Sequence, residues 1–190
     1  MSAQAQEKAL AFLRLLEKWN HAYNLTAIHD FDAMITHHLL DSLAVAPFVK
    51  GDQIIDIGTG AGFPGVPLAL CFPDKQFTLL DSNGKKTRFL IQAKTELSIS
   101  NIEIVQDRAE NYQTAACFDA IIFRAVKSIP EMITKTQHLC CKNGQLLAMK
   151  AVYPTEELKD VDHPFTVVPL SVPGLEAERH LIIIERKNNG

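Results

Sequence analysis

The sequence contains no long apolar run, and this absence excludes a membrane-spanning protein. The uninterrupted apolar stretches, such as residues 43–49 and 181–184, are far shorter than the roughly 20 apolar residues that cross a bilayer. The first ten residues carry a glutamate and a lysine and no apolar segment that precedes a cleavage site, so no signal peptide is predicted. We therefore expect a cytoplasmic protein without a membrane partner.

The sequence also has few cysteines and a small net charge. The four cysteines show no C-x-x-C spacing, and the adjacent pair Cys140-Cys141 would be strained as one disulfide or as two ligands of one metal. We therefore expect buried, reduced thiols and no metal. A net charge of −3 and a pI near 6.1 argue against a protein that binds nucleic acid mainly by neutralising phosphates. A local basic patch remains compatible with these values.

The composition is that of an ordinary folded protein. With 47% hydrophobic and 22% charged residues, the chain can bury a core, which excludes disorder, collagen and coiled coil. A length of 190 residues suits one domain, because a domain usually has roughly 100–200 residues. We expect a single domain over 1–190, with a helical cap at 1–50 and an α/β core at 51–190.

Hydrophobic periodicity predicts the order of the elements. Apolar residues recur at helical spacing over 3–20 and again over 32–49, where Lys50-Gly51 closes the second helix. Further along, apolar runs alternate with helical windows, as in a mostly parallel sheet with crossover helices. The predicted strands are 53–57, 76–80, 102–106, 120–123, 145–150, 166–172 and 180–185. The predicted helices between them are 66–71, 85–97, 109–115 and 130–141, the last closed by Lys142-Asn143-Gly144.

The expected fold is therefore α/β, with a doubly wound, mostly parallel, seven-stranded sheet and an amino-terminal helical cap. The last two strands are joined through Pro173-Gly174, a short link that favours an antiparallel hairpin at the carboxyl-terminal edge of the sheet.

A glycine-rich turn follows the first predicted strand and precedes a helix. Gly58, Gly60 and Gly62 have the spacing G-x-G-x-G, and glycines here let a ligand approach the main chain. Dinucleotide-binding folds have G-x-G-x-x-G, and a Walker loop needs a Gly-Lys-Ser/Thr triplet that is absent. Asp56 ends the strand; its carboxylate would repel a pyrophosphate but suits the ammonium and sulfonium of S-adenosylmethionine. A tight turn without a ligand is the alternative.

A second acidic residue, Asp81, ends the next predicted strand. In this class of sheet an acid at this position accepts hydrogen bonds from ribose hydroxyls. The alternative is that Asp81 caps the following helix through Ser82-Asn83-Gly84. Residues 106–110, at the end of the third strand, are placed to read an adenine edge.

These residues and several other motifs resemble one known family. The resemblance covers nearly the whole chain, from about Trp19 to Glu185. Its motifs are Trp19-Asn20 with Asn24-Leu25-Thr26, His38-Leu39-Leu40-Asp41-Ser42, the turn ending in Phe63-Pro64-Gly65, Leu79-Leu80-Asp81-Ser82, Arg108-Ala109-Glu110, and Phe118-Asp119 with Arg124-Ala125. The chain resembles the bacterial 16S ribosomal RNA (guanine-N7)-methyltransferases, also called the glucose-inhibited division protein B family.

The resemblance implies a class I methyltransferase (Rossmann-like) fold, S-adenosylmethionine as the methyl donor, and a guanosine of small-subunit ribosomal RNA as the acceptor. It implies cofactor contacts at Gly58, Phe63, Ala109, Glu110 and Arg124. The chain departs from the family in one place, because the family usually continues Lys-Gly where this chain has Lys150-Ala151.

Methylation of guanine N7 requires no general base, because N7 has a free lone pair and no proton to lose. We therefore assign no catalytic base and expect positioning to carry the rate, with Arg124 and Lys150 as candidates. Arg124 has several interpretations: donation to guanine O6 or to a phosphate, a contact with the cofactor carboxylate, which we favour, or a surface pair with Glu131 or Asp119.

An RNA substrate would need a basic surface near the cofactor. The candidates are Lys85, Lys86, Arg88, Lys127 and Lys150, although such a run is also typical of a solvated helix face. The resemblance alone suggests that Asn24 faces the acceptor pocket. His38 and Asp41, three residues apart, are expected to pair and brace the cap.

We also expect a monomer that acts on 16S ribosomal RNA or the small ribosomal subunit. The rival hypotheses are a methyltransferase of another acceptor on the same fold and a non-catalytic cofactor sensor or ribosome-assembly factor.

Overall fold

The computed structural model describes residues 1–125 and 128–186. The helices are α1 (Ala3–Tyr23), α2 (Phe31–Met34), α3 (Asp41–Leu43), α4 (Gly65–Cys71), α5 (Gly84–Glu96), α6 (Ile129–Thr136) and α7 (Thr155–Lys159). The strands are β1 (Gln53–Ile57), β2 (Gln76–Leu80), β3 (Ile102–Val105), β4 (Phe118–Arg124), β5 (Cys140–Lys150), β6 (Phe165–Pro169) and β7 (His180–Glu185). None of the helices in these ranges is both long and apolar enough to cross a membrane.

The strands form one seven-stranded sheet in the order β3-β2-β1-β4-β5-β7-β6. Strands β1 to β5 are parallel to one another, whereas β7 runs antiparallel to both β5 and β6. The predicted mostly parallel sheet with an antiparallel carboxyl-terminal hairpin is confirmed. Its strand order reverses between β1 and β4, and ligands of doubly wound sheets bind at such a point.

Both faces of the sheet are buried, as expected for parallel strands. On one face, Ile54 and Leu79 pack with buried residues of α1, α4 and α5. On the other face, Ile55 and Leu80 pack with buried residues of α6 and α7. Because adjacent strand residues point to opposite faces, the continuous apolar runs of β1 and β2 serve both layers.

The helical cap differs from the single helix predicted over 32–49. The segment begins as α2, continues as a π-helix over Ile35–Leu40, returns to α3 and ends in a 3-10 turn at Ala46–Phe48. The hydroxyl of Ser42 donates to the carbonyl of His38 at 2.5 Å, and Pro47 lies in the 3-10 turn, where a residue without an N–H can end a helix. A π-turn is often associated with a functional site.

Two other predicted helices are wrong in part. Residues 109–111 form a turn and residues 112–115 form no helix, because this segment is mostly exposed and only Ala109 and Tyr112 contribute apolar packing. A helix without an apolar face to bury is not stable. The helix predicted over 130–141 ends earlier, at Thr136, and a 3-10 turn spans Gln137–Leu139. Cys140 then pairs with Phe118 in the sheet.

The prediction of four reduced cysteines is also wrong. Cys117 and Cys141 form a disulfide with an S–S distance of 2.06 Å, whereas Cys71 and Cys140 are free. Both bonded cysteines lie at the start of adjacent parallel strands, so pairing of β4 with β5 brings their Cα atoms to 4.9 Å. Spacing along the chain gave no sign of this proximity.

Candidate active site

The glycine turn connects the end of β1 to α4 at the carboxyl edge of the sheet. The N–H groups of Gly58 and Thr59 both donate to the carbonyl of Leu80, at 2.8 and 3.0 Å, and tie the turn to the end of β2. Gly58 has φ +67°, and a Cβ there would meet no atom within 4 Å. The turn is therefore held against the end of β2 by two hydrogen bonds. The main chain of Gly58 faces open space on its other side.

Gly60 and Gly62 complete the turn in different ways. Gly60 has φ +64° and its N–H donates to Asp81 Oδ2 at 2.8 Å. Gly62 has φ +100°, and a Cβ there would lie 2.8 Å from a methyl of Leu90 and 2.9 Å from one of Val66. Gly60 thus joins the turn to β2, and Gly62 is needed for close packing of the turn on the helices.

Asp56 holds the turn from inside. The Thr59 hydroxyl donates to its Oδ2 at 2.6 Å and the Gly65 N–H at 2.8 Å, and the residue is 1% exposed. Its Oδ1 is buried without a partner among the described residues. Burial raises the pKa of this carboxyl to about 6, although both hydrogen bonds oppose the shift. The carboxylate predicted to face a cationic cofactor thus contacts groups of the turn itself.

Asp81 joins the glycine turn to the residues that precede α5. Its Oδ2 accepts from Gly60, and its Oδ1 accepts from the N–H of Asn83 at 2.8 Å. The cap of α5 is Asn83, whose side chain accepts from the N–H of Lys85. Lys86 Nζ lies 3.9 Å from Asp81 Oδ2. Asp81 therefore orders the entrance to α5 and also faces the cavity described next.

One cavity of about 350 Å³ lies over the carboxyl ends of β1, β2 and β3, and we call it the first cavity. It brings together Gly58, Asp81, Ala109 and Glu110, four of the residues predicted to bind the cofactor. Its other lining residues are Ile57, Leu80, Ser82, Asp107, Arg108, Met132 and Lys135. Three carboxylates, two basic side chains and several apolar side chains thus line the same space.

A cavity of about 480 Å³ lies over the ends of β4 and β5, and we call it the second cavity. Its lining residues are Ile28, His37, His38, Asp41, Arg124, Ala125, Met149, Lys150, Ala151 and Arg179. The predicted positioning residues Arg124 and Lys150 are both among them. Arg179 was missed, because the only signal was a basic residue directly before β7.

Asp41 organises the second cavity. It is 4% exposed and binds two guanidinium groups: Arg124 Nη1 lies 3.3 Å from Oδ2 and Arg179 Nε lies 2.8 Å from Oδ1. The predicted pairing of His38 with Asp41 is therefore wrong, as are Glu131 and Asp119 as partners of Arg124. Asp119 instead accepts from the main-chain N–H groups that precede and begin β1.

His38 is held between Thr26 and Phe63. Its Nε2 lies 2.8 Å from the Thr26 hydroxyl, and its ring stacks on Phe63 with centroids 4.5 Å apart. Burial lowers the pKa of His38 to about 4, with a smaller effect from the charge of Arg124. His38 is thus neutral at pH 7. Phe63, a predicted cofactor contact, is 2% exposed and joins the glycine turn to the cap.

The predicted RNA-binding residues lie in different surroundings. Lys85 and Arg88 are exposed on α5, and Lys86 is half-buried beside Asp81. Lys150 is paired with Glu157 at 2.7 Å, and its side chain is only 10% exposed. Asn24 is exposed and ends α1 with φ +50°. Lys127 lies outside the described residues.

Comparisons with known proteins show which family the chain belongs to. A family model, GidB, described as rRNA small subunit methyltransferase G, matches residues 5–182. The chain is 53% identical over 184 residues to the ribosomal RNA small subunit methyltransferase G of Coxiella burnetii (strain RSA 331 / Henzerling II), covering 97% of this chain and 89% of the relative. It is 51% identical over 179 residues to the protein of that name from Legionella pneumophila (strain Lens), covering 94% and 86%.

Solved structures with the same fold are more distant in sequence. A putative O-methyltransferase from Klebsiella pneumoniae aligns with a TM-score of 0.64 at 14% identity, covering 93% of this chain and 90% of that chain. A SAM dependent methyltransferase from Aquifex aeolicus aligns with a TM-score of 0.60 at 13% identity, covering 80% and 92%. These two alignments establish the class I methyltransferase fold. By its sequence, the chain belongs to the GidB family, described as rRNA small subunit methyltransferase G.

Proposed function

We propose that this protein transfers a methyl group from S-adenosylmethionine to N7 of a guanosine in the ribosomal RNA of the small subunit. The observation that carries the proposal is that two cavities lie along one edge of a class I methyltransferase sheet, the first lined by the carboxylates of Asp81, Asp107 and Glu110 and the second by the basic side chains of Arg124, Lys150 and Arg179. The name shared by its relatives supports a small-subunit ribosomal RNA as the acceptor.

The first cavity suits the adenosine part of the cofactor. Asp81, Asp107 and Glu110 offer carboxylate acceptors for ribose hydroxyls and an amino group, and Ile57 and Met132 offer apolar surface for a flat base. We propose that Asp81 and Glu110 bind the nucleoside while Gly58 and Ala109 allow its close approach.

Other residues of the turn act on cofactor binding through its shape. Asp56 is enclosed by the turn, so we propose that it supports the conformation of Gly58, Gly60 and Gly62. Phe63 lies between the turn and the cap, where its ring stacks on His38 of the second cavity. Arg124, whose guanidinium is 5.7 Å from the centroid of the Phe63 ring, is proposed to contact the carboxylate end of the cofactor.

The second cavity suits a nucleobase with hydrogen-bond acceptors. Arg124, Arg179 and Lys150 bring positive charge, and Ile28 and Met149 bring apolar surface. Bound S-adenosylmethionine would supply a sulfonium methyl, which N7 takes with its lone pair while the sulfur keeps the electrons of the broken bond. No proton leaves N7, so a cavity whose carboxylate is engaged by two arginines is competent for the reaction. Lys150 is proposed to position the acceptor side of this cavity.

The test is methyl transfer from radiolabelled S-adenosylmethionine to small ribosomal subunits and to naked 16S ribosomal RNA, both from cells that lack the enzyme. Nucleoside analysis of the product should give 7-methylguanosine, and the better substrate shows whether RNA alone or the assembled particle is recognised. A different methylated nucleoside would overturn the N7 assignment. Cofactor binding without transfer to either substrate would favour a non-catalytic factor or another acceptor.

A further inference from the structure

Arg179 is a basic residue of the second cavity that reaches it from a distant part of the chain. It directly precedes β7, and the connection that delivers it from β6 packs on the cap, where Gly174 lies near Thr36. Its side chain is only 17% exposed, so its position is set by its partners. No prediction from the sequence singled it out.

Two hydrogen bonds fix the plane of its guanidinium group. Nε donates to Asp41 Oδ1 at 2.8 Å, and Nη1 donates to the carbonyl of Glu178 at 2.8 Å. Nη2 donates to none of the residues within 1–125 and 128–186. An arginine held in this way keeps donors for a ligand without having to order a flexible side chain on binding.

Guanine offers two acceptors along one edge, N7 and O6, and an arginine commonly binds both. Here N7 must stay free, because its lone pair forms the new bond. A donor that served both atoms would block the reaction, whereas a single donation to O6 would orient the base and leave N7 open. Adenine has the same N7 but an amino donor in place of O6, so an arginine at that position would also reject adenine.

The carboxylate of Asp41 allows an arginine beside O6 without preventing methylation at N7. Methylation at N7 adds positive charge to the base, and an uncompensated guanidinium beside O6 would oppose this charge. The buried Asp41 carboxylate contacts both Arg124 and Arg179 and offsets one of their two charges.

We propose that Arg179 is the residue that reads O6 of the acceptor guanine, with Asp41 as the positioning residue that orients its guanidinium. This inference rests on the proposed function and adds to it the determinant of base specificity. Arg124 remains the candidate for the cofactor side of the same ion-pair network.

The experiment compares the wild type with Arg179→Met, which has similar length and no donor, on RNA whose located target guanosine is natural or replaced. The replacements are 2-aminopurine riboside, which keeps N7 and lacks O6, and inosine, which keeps both. On guanosine, Arg179→Met should lower kcat/KM by roughly 10- to 100-fold, the effect of losing one charge-assisted hydrogen bond. The dissociation constant of S-adenosylmethionine should change less than about twofold, because Arg179 is not proposed to contact the cofactor, and the stoichiometry of the same titration reports the folded fraction.

The decisive readout is the coupling between the side chain and O6. The wild type should lose a similar factor on 2-aminopurine and little on inosine, and Arg179→Met should lose nothing further on 2-aminopurine. If Arg179→Met lowered kcat/KM by the same factor on guanosine and on 2-aminopurine, Arg179 would contact a phosphate or only stabilise the protein, and the proposal would be overturned. Unchanged activity on guanosine would also overturn it.

Controls separate this inference from the proposed function. Lys18→Met, at an exposed lysine of α1, should behave as the wild type. Arg179→Lys, which keeps the charge and a donor, should regain part of the activity; if Arg179→Met does not fold, the Lys variant and the wild-type comparison of guanosine with 2-aminopurine carry the test. Failure of the wild type to form 7-methylguanosine on natural RNA would instead reject the proposed function.

Discussion

Asp56 places a carboxyl group where water cannot solvate its charge. The group is 1% exposed, and burial raises its pKa from 3.8 to about 6 in spite of the Thr59 hydroxyl and the Gly65 N–H. Between pH 4 and 6 the folded protein therefore keeps a proton on Asp56 that the unfolded chain has lost. Stability falls as pH rises wherever the folded state binds more protons.

We expect Asp56 to lower the free energy of unfolding by up to about 3 kcal/mol as the pH rises from about 4 to 6, since each pKa unit corresponds to about 1.4 kcal/mol. Urea denaturation of the wild type and of Asp56→Asn, which keeps an acceptor oxygen but does not titrate, measures this effect. The difference in unfolding free energy should decline across this range and then level off. Parallel pH profiles would contradict the assignment.

The stability of the wild type must be compared with that of Asp56→Asn because His38 also titrates in this pH range, and its effect on stability is opposite in sign to that of Asp56. The pKa of His38 is lowered to about 4. Between pH 6.5 and 4, His38 is therefore protonated in the unfolded chain and neutral in the folded protein. Stability linked to His38 is therefore complete above pH 6.5 and is lost as the pH falls towards 4. In the wild-type profile alone the two contributions partly cancel.

The sequence predicted which residues lie near one another at the site better than it predicted the hydrogen-bond partners of individual side chains. Gly58, Asp81, Ala109 and Glu110 share one cavity, which was predictable because the carboxyl ends of parallel strands meet at one edge. The partners of Asp41 were not predictable: Arg124 and Arg179 are 83 and 138 residues away. Only the helical neighbour His38 was visible from spacing, and it bonds elsewhere.

Among the elements, buried strands were predicted most accurately from the sequence. The bounds of β1, β2 and β7 agree with prediction, since their apolar runs satisfy both faces of the sheet. The start of β5 was not readable, because Cys140 joins the sheet through pairing with β4 rather than through a local pattern. The π-turn in the cap was missed for a similar reason: hydrophobic periodicity does not distinguish it from an α-helix.

Gly58, in the turn after β1, and Gly65, the first residue of α4, have different requirements. A Cβ on Gly65 would overlap Leu79 Cδ2 and lie 2.8 Å from Asp56 Oδ2, whereas a Cβ on Gly58 would enter open space. Gly65→Ala should therefore destabilise the protein by about 2 kcal/mol or more through overpacking. Gly58→Ala should cost only about 1 kcal/mol for its left-handed backbone.

Cofactor binding should show the reverse order for these glycines. Gly58→Ala should weaken S-adenosylmethionine binding at least about tenfold, because its methyl group would occupy the first cavity, and a tenfold loss is about 1.4 kcal/mol. Calorimetric titration and urea denaturation of both variants measure the two effects. Normal cofactor affinity in folded Gly58→Ala would show that the cofactor does not approach this glycine.

Glu157 connects three elements at the edge of the second cavity. Its carboxylate accepts from Lys150 Nζ at 2.7 and 2.8 Å and from the N–H of Ile129 at 2.8 Å, and so joins α7 to the end of β5 and the start of α6. Within residues 1–125 and 128–186, the neighbouring Glu156 forms an ion pair only with Lys159, and both side chains are largely exposed. The two glutamates form a natural comparison.

We expect Glu157→Gln to destabilise the protein by about 1–3 kcal/mol, because Lys150 is largely buried and loses its carboxylate partner. Glu156→Gln should cost at most about 0.5 kcal/mol, as is usual for an exposed ion pair. Urea denaturation at neutral pH compares them. Equal stabilities of the two variants would mean that Glu157 does not anchor α7.

Over the whole molecule, whose net charge is −3, basic side chains are exposed at both ends of the sheet. Lys85 and Arg88 are exposed on α5, which begins at the carboxyl end of β2 beside the first cavity. Lys50 and Lys142 are equally exposed but lie at the amino ends of β1 and β5. RNA that reaches the site from the carboxyl edge would contact the first pair and not the second.

Salt dependence of RNA binding distinguishes this orientation from a solvated helix face. Each phosphate contact to a single strand contributes a slope of about −0.7 to a plot of log K against log salt concentration. Lys85→Ala/Arg88→Ala should therefore make the slope shallower by about 1 to 2, whereas Lys50→Ala/Lys142→Ala removes the same charge and should leave it unchanged. Lys86 is kept in both variants because of its position beside Asp81. Binding of small subunits or 16S ribosomal RNA at several salt concentrations measures the slopes, and equal slopes for the two double variants would show that α5 does not contact the RNA.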